Sequence, residues 1–570
     1  MRHLIRRYRR HFLHAAVFSL ASNVLVLVPS LYMLQVFDRV LVSRVEETLL
    51  LLTLITVVAL AVYGGLDVVR GRLLAGAARA LEREHSPAVL LAQVRAAVGP
   101  GRPVPGPVLR DIATVRAFLT GPGIVAAFDC PWMVVFIACI FAFHPLLGAI
   151  AATGALVLLG LAVANEWLTR AALREVQDEV RVMNRRADMS LRNAEVIAAL
   201  GIAGTVVDRW RQSDQRTAQV RRRAEQLALR FSAAGKVLRQ LLQVAMLGTG
   251  AWLVIRMHAT PGLMIAGTIL VGRALAPVEL LISGWRGLVE ARDALRRLED
   301  ILAPAAPVPF ATPLPAPEGH LEVDRITLRA NPRADPILKQ VSFAIAAGES
   351  AAIVGPSGCG KTSLARVVMG IWPAQSGVVR LDGADVSQWP RDALGPHLGY
   401  VPQDVELFDG TVSENIARMG LPDPEAVLAA ARRADAHDLI LRLPQGYDTP
   451  IGDGGALLSA GQRQRIALAR ALYGQPRLVV LDEPNANLDS DGEEALLNVL
   501  RGLARDKVTV LAISHRPNLL AVVDRVLVMR DGAVDAFLPR EEFFAKLARA
   551  ARDQGRVGGS VAVLPAGGGT

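Results

Sequence analysis

The segment Gly355-Pro356-Ser357-Gly358-Cys359-Gly360-Lys361-Thr362-Ser363 has the residue types and spacing to hold a chain of phosphates. It matches G-x-x-x-x-G-K-[ST], in which backbone N–H groups and a lysine ammonium surround phosphate oxygens. An apolar run at 351–354 precedes it, and a helix-like stretch at 361–369 follows. A strand, a glycine turn and a helix N-terminus in that order are what the chemistry requires. A chance glycine-rich turn is the competing reading, and both flanks count against it. The chain has five lysines against fifty-eight arginines, yet this position is Lys361. A compact ammonium fits where a planar guanidinium does not. Downstream, Leu478-Val-Val-Leu-Asp482-Glu483 reads as an apolar strand ending in two carboxylates. One can hold Mg²⁺ and the next can act on water.

Four further segments keep a fixed order around these two. Gln403 follows the phosphate loop, then comes Leu458-Ser459-Ala460-Gly461-Gln462. Leu488-Asp489 follows the carboxylates, and His515 stands in Ile513-Ser-His-Arg. Taken alone, Gln403 and His515 are ordinary surface or core residues; their order lifts them. Together the six motifs resemble the nucleotide-binding domain of an ATP-binding-cassette (ABC) transporter. The resemblance implies ATP and Mg²⁺ as cofactors, with residues 355–363, Gln462 and Asp489 at the nucleotide. It also implies a homodimer, in which Lys361 and Thr362 of one subunit hold ATP against Ser459 and Gly461 of the other. Glu483 is the expected general base, Asp482 a Mg²⁺-sphere carboxylate, Thr362 and Gln403 Mg²⁺ ligands, and His515 a γ-phosphate contact. The sequence departs from the family pattern twice. No aromatic stands in Ile326-Thr-Leu-Arg-Ala-Asn-Pro332, where family members commonly stack a tyrosine on adenine, and Ala460 replaces a glycine. Weaker base selectivity is expected from the first, and little consequence from the second.

The elements that must carry this chemistry occupy the second half of a 570-residue chain, long enough for two or more domains. Hydrophobic residues make up 52% and mean hydropathy is +0.33, with the excess before residue 290. Residues 11–37 and 48–66 are two apolar runs. A third, 130–165, would be about 54 Å long as one helix, against a hydrocarbon core of about 30 Å. It therefore predicts two spans broken at His144-Pro145. Runs at 240–255 and 263–282 complete six. Arg2, Arg6, Arg7, Arg9 and Arg10 precede the first span and place both termini in the cytoplasm. Arg-rich segments 67–129 and 166–239 are then cytoplasmic as well, suiting long helices that reach an ATPase. A signal peptide fails because the apolar run is long, contains Pro29 and lacks a small-residue cleavage site. The net charge of +10 reads as arginines flanking spans, not as a nucleic-acid surface. Three cysteines, Cys130, Cys139 and Cys359, form no disulfide or zinc pattern. The expected organisation is an α membrane domain of six transmembrane helices at 1–302, a Pro-rich linker at 303–319, an α/β P-loop ATPase domain at 320–552 and a disordered tail at 553–570.

Family information concentrates in the membrane half. Tyr32-Met-Leu-Gln-Val-Phe-Asp-Arg-Val-Leu41, Asp129-Cys-Pro-Trp132, His144-Pro-Leu-Leu-Gly148, Arg192-Asn-Ala-Glu-Val196 and Gly272-Arg-Ala-Leu-Ala-Pro-Val-Glu279 resemble one group. So does Asp482-Glu-Pro-Asn-Ala-Asn-Leu-Asp489 in the ATPase half. That group is the permease/ATPases of bacterial type I secretion, of the alkaline-protease (RTX protein) exporter type. The resemblance implies export of an unfolded polypeptide across the inner membrane, with a periplasmic membrane-fusion adaptor and an outer-membrane channel as partners. The short N-terminus leaves no room for the peptidase or peptidase-like domains of other exporters in this class. Arg273, near mid-bilayer, is expected to line the transport path or meet a partner on another span; the bland reading is a side chain snorkelling to the interface. A lipid or drug exporter of the same architecture is the alternative. A non-transporting ATP-binding regulator is disfavoured by Glu483, and an importer by the fusion of both halves in one chain.

Overall fold

The computed structural model describes residues 9–99, 108–303, 314–331, 333–452, 454–486 and 488–555. Two compact units divide near residue 306. Arg2, Arg6 and Arg7, linker residues 304–313 and tail residues 556–570 lie outside the described ones.

The first unit is helical. Among the described residues, five runs are long and apolar enough to cross a membrane: Arg9–Ser43, Glu46–Ala97, Pro145–Arg192, Ala203–Ile255 and Pro261–Ser283. The sixth span is assembled from shorter pieces. Leu109–Thr120 and Pro122–Asp129 meet at 49°, and the apolar helix Trp132–Phe143 follows. Cys130 and Pro131 both keep helical dihedrals. From Pro122 the helix therefore continues for about six turns, or ~33 Å, enough for the hydrocarbon core. The expected break is present. His144 is extended, its ring nitrogen accepts from the Leu146 N–H at 3.2 Å, and Pro145 occupies the first turn of the next helix. Pro145–Arg192 and Ala203–Ile255 are about 72 and 80 Å long, far beyond a bilayer's thickness. Phe136, Ile140, Leu147, Leu158, Met246, Leu270 and Leu275 form the unit's apolar core.

Several polar side chains of this unit are tied to one another across helices. Arg70 is only 4% exposed; its guanidinium donates to Asp129 at 3.0 Å and to Asp67 at 2.5 Å. Asn23 donates to the same Asp129 oxygen at 2.7 Å, and Ser19 donates to it as well. The network joins the Arg9–Ser43 and Glu46–Ala97 runs to the end of the helix Pro122–Asp129. Asp38 accepts from the Thr260 hydroxyl at 2.5 Å and the Gly262 N–H at 2.8 Å, capping Pro261–Ser283. A side chain on Gly262 would strike Asp38, so the close approach requires glycine there. Glu279 pairs with Arg239 at 2.7 Å.

The second unit holds a four-stranded antiparallel sheet, ordered β2-β1-β4-β5, from β1 (Leu321–Arg329), β2 (Pro336–Ile345), β4 (Ser376–Leu381) and β5 (Ala384–Asp385). Its six-stranded sheet comprises β3 (Ser350–Val354), β6 (Leu398–Val401), β7 (Leu478–Asp482), β8 (Thr509–Ile513), β9 (Arg525–Arg530) and β10 (Ala533–Pro539). The order is β10-β9-β3-β8-β7-β6, parallel except for β10. Every residue of β3, β7 and β8 is buried, as parallel strands covered on both faces require. Alternate residues serve two cores: Ala352 and Val354 pack on one face, Ala351 and Ile353 on the other.

Asp129→Ala leaves the Arg70 guanidinium buried without its main partner. Such a loss costs about 3–5 kcal/mol. Thermal unfolding of the detergent-purified protein checks this, and a paired Arg70→Met, Asp129→Leu variant should recover most of the loss.

Candidate functional site

The strand β3 runs into the phosphate loop at Gly355, and the helix Lys361–Val368 leaves it. Gly355 has φ +156, and a Cβ there would lie 2.2 Å from the Met529 carbonyl oxygen of β9. Gly360 precedes the helix with φ +98, hard against Leu338 and Ile337 of β2. Pro356, Ser357 and Gly358 are exposed, Cys359 is buried beneath the turn, and Ser363 is half-buried in the helix. Lys361 is 6% exposed, and its ammonium donates to the Gly355 and Pro356 carbonyls at 2.8 and 3.0 Å. The ammonium is thus held inside the loop, at the place a phosphate chain would enter.

Because β3 and β7 both flank β8, the Thr362 hydroxyl meets Asp482, donating to Oδ1 at 3.2 Å. Asp482 is fully buried and its Oδ2 has no hydrogen-bond partner. Burial raises its pKa above the usual carboxylate range and the neighbouring Glu483 adds to that, while Thr362, Arg366 and Lys361 oppose it. No cluster of three or more His, Cys, Asp or Glu fit for a metal occurs among the described residues. A sparse oxygen set with one orphan carboxylate oxygen nevertheless fits Mg²⁺, which binds through one or two carboxylates, waters and phosphates.

Glu483 follows β7 with φ +49, a conformation that side chains rarely adopt. Its N–H is fixed to the Ile513 carbonyl of β8 at 3.0 Å. That strain aims the carboxylate away from the strand, and Gln403 donates to its Oε2 at 3.1 Å. Gln403 lies two residues beyond β6, the neighbour of β7. His515 lies two residues beyond β8. Burial and the Lys361 charge lower its pKa, against a pull upward from Glu483, so the imidazole stays neutral near pH 7.

The structure thus brings residues 355–363, Gln403, Asp482, Glu483 and His515 to one edge of the sheet. It does not bring Ser459, Gly461 and Gln462 there. Ser459 caps the helix Ala460–Leu472 in a reciprocal pair: its oxygen accepts from Gln462 N–H at 3.2 Å, and Gln462 Oε1 accepts from Ser459 N–H at 2.9 Å. Among the described residues no hydrogen bond or ion pair joins them to the phosphate loop. Ala460 occupies ordinary helical backbone after the cap, so nothing local demands glycine. Asp489 caps the helix Ser490–Arg505 through the Gly492 N–H at 2.8 Å. In the membrane unit Arg273 is exposed, with no hydrogen bond or ion pair among the described residues; Glu279 is engaged by Arg239 instead.

One residue that motif reading passes over is Arg418. Its largely buried guanidinium donates to the Arg470 and Ala471 carbonyls, both at 3.1 Å, and to those of Gly395 and Leu398 at 2.8 and 3.0 Å. It closes the C-terminal end of the helix begun by Ser459 and ties it to the strand that leads to Gln403. No spacing signal marks it.

A helical membrane unit and a phosphate-loop ATPase in one chain define an ABC exporter. The ABC transporter family matches residues 338–486. The chain is 44% identical over 553 residues to the type I secretion system ATP-binding protein PrsD of Rhizobium meliloti, covering 96% of this chain and 94% of that one. It is 32% identical over 541 residues to the cyclolysin secretion/processing ATP-binding protein CyaB of Bordetella pertussis, covering 92% and 75%. A bacterial Atm1-family ABC exporter solved with ATP bound shares the fold, with TM-score 0.78 at 24% identity, covering 97% and 99%. The chain belongs to the ABC exporters of the type I secretion ATP-binding protein family. It is a multi-pass membrane ATPase that binds ATP.

Glu483→Gln should keep nucleotide binding yet lose about 10²–10⁴-fold in hydrolysis rate, the usual size of general-base action. Lys361→Ala should instead weaken binding itself. Steady-state hydrolysis alongside a fluorescent-nucleotide binding titration separates the two.

Proposed function

We propose that the protein exports an unfolded polypeptide across the bacterial inner membrane, as the homodimeric permease/ATPase of a type I secretion system. Identity of 44% over almost the whole of PrsD carries this reading. We assign residues up to about 302 to the membrane domain, 320–552 to the ATPase domain, and both termini to the cytoplasm. A periplasmic membrane-fusion adaptor and an outer-membrane channel are the partners this assignment requires.

Each nucleotide site takes Lys361 and Thr362 from one subunit and Ser459 and Gly461 from the other. The exposed position of Ser459, which among the described residues is engaged only with its own helix, supports that division. Lys361 gives up the Gly355 and Pro356 carbonyls for phosphate oxygens. Thr362, Asp482 and Gln403 would hold Mg²⁺, which when bound neutralises charge developing on the phosphates. Glu483, steadied by Gln403, takes a proton from the attacking water, and neutral His515 donates to the γ-phosphate. Pairing of two ATPase units around two nucleotides drives the membrane helices between states, and hydrolysis reverses it. Arg273 lines the transport path, since an arginine facing lipid near mid-bilayer costs at least about 2.5–3.5 kcal/mol.

Deleting the gene should remove one or a few polypeptides from the culture supernatant while they accumulate inside; an unchanged supernatant rejects the polypeptide cargo. In the same assay Arg273→Leu should reach wild-type membrane levels yet secrete less. Mixed Lys361→Ala and Ser459→Ala subunits should regain partial hydrolysis, because half of the mixed dimers' sites draw no mutant residue. Activity no higher than in the separate variants would contradict the shared site.

A further inference from the structure

A cavity of about 370 Å³ opens where four helices of the membrane unit converge: Pro145–Arg192, Ala203–Ile255, and Pro261–Ser283 at its turn into Trp285–Leu302. That volume is within the range of ligand-binding clefts. Its surface is mostly apolar, with Leu229, Ile282 and Ala224 in the wall, and the charged side chains of Arg221, Glu225 and Arg286 share it. Its depth is set by the chain itself. Asn165 ends one apolar run and Ile282 another, so the cavity sits at the cytoplasmic boundary of the spans, where a cargo from the cytoplasm would arrive.

Two lining residues carry unmet hydrogen-bonding capacity. Among the described residues, Asn165 is 2% exposed with no donor to its Oδ1, and the buried Trp285 indole N–H has no acceptor. Buried polar atoms without partners are rare in native proteins, and each asks for an explanation. Here one is an acceptor and the other a donor. A residue in extended conformation offers its own N–H and C=O to the same side, the pair exchanged between neighbouring antiparallel strands. We propose that this cavity binds a stretch of extended polypeptide backbone, its N–H to Asn165 Oδ1 and its C=O to the Trp285 N–H, with an apolar cargo side chain against Leu229 and Ile282. Recognition through backbone atoms is indifferent to sequence, as a carrier of unfolded chains requires. The inference rests on the polypeptide-export reading and names where that cargo is first held.

The test uses the full-length protein in lipid nanodiscs and two fluorescent peptides. One is an unstructured twelve-residue Leu/Ser/Gly peptide; the other is identical but N-methylated along its backbone. Asn165→Leu keeps side-chain size without the amide, and Trp285→Phe keeps an aromatic ring without the indole N–H, so both variants should fold and hydrolyse ATP basally as wild type does. Wild type should bind the plain peptide at least about tenfold more tightly than the methylated one, the scale of one buried hydrogen bond. Each variant should weaken plain-peptide binding by a similar factor, and Asn165→Leu should erase the discrimination against N-methylation. Equal binding of the two peptides by wild type, or unchanged binding in both variants, overturns this site and leaves the orphan atoms to bound water. If wild type binds neither peptide, while its hydrolysis responds to phosphatidylglycerol vesicles, the polypeptide-export reading falls with it.

Discussion

Everything at the nucleotide site depends on three strands that no water touches. β3, β7 and β8 are buried along their whole length and lie side by side in parallel. Their carboxyl ends must therefore emerge together at one edge, and each end delivers one part of the machinery: the phosphate loop, the two carboxylates and His515. Ligands gather at that edge of α/β sheets for the same reason. The apolar runs are thus the positioning device, and the polar residues just beyond them are their product. Asp482 marks the limit of the arrangement, the last strand residue, buried with one oxygen unmet.

The membrane unit obeys a different constraint. Polar groups away from water need partners, and four of the five membrane segments that resemble this exporter group supply one each. Asp38 caps a helix, Asp129 holds Arg70, His144 starts a helix, and Glu279 holds Arg239. These ties explain why short polar motifs stand among long apolar runs.

Much of this was legible in the sequence, and the boundary is physical. The six ordered motifs and the apolar runs are local patterns, so they could be read directly, as could the break at His144-Pro145. What a sequence does not show is which distant residues meet. Arg70 reads as one arginine among many until Asp129, fifty-nine positions on, closes over it. Arg418 binds four carbonyls, which carry no side-chain signature at all. Glu279 is near Arg273 in sequence but pairs with Arg239 across a helix interface. Where the family commonly stacks a tyrosine this chain has none, and the neighbour of the phosphate loop is aliphatic Ile337.

The two longest helices have a consequence of a mechanical kind. Pro145–Arg192 and Ala203–Ile255 pack against each other and run about 72 and 80 Å, of which a bilayer accounts for about 30 Å. The remainder is a stiff two-stranded rod about 40–50 Å long. Tilting such a rod by about 10° at the membrane surface sweeps its far end through about 8 Å, so small rearrangements among the spans become large strokes. The same geometry makes its length discrete. Removing one residue turns everything beyond it by about 100° and swaps the packed face for the exposed one, whereas removing seven leaves the face nearly in phase. The rod's tolerance to change should thus follow the period of the helix more closely than the identity of its surface residues.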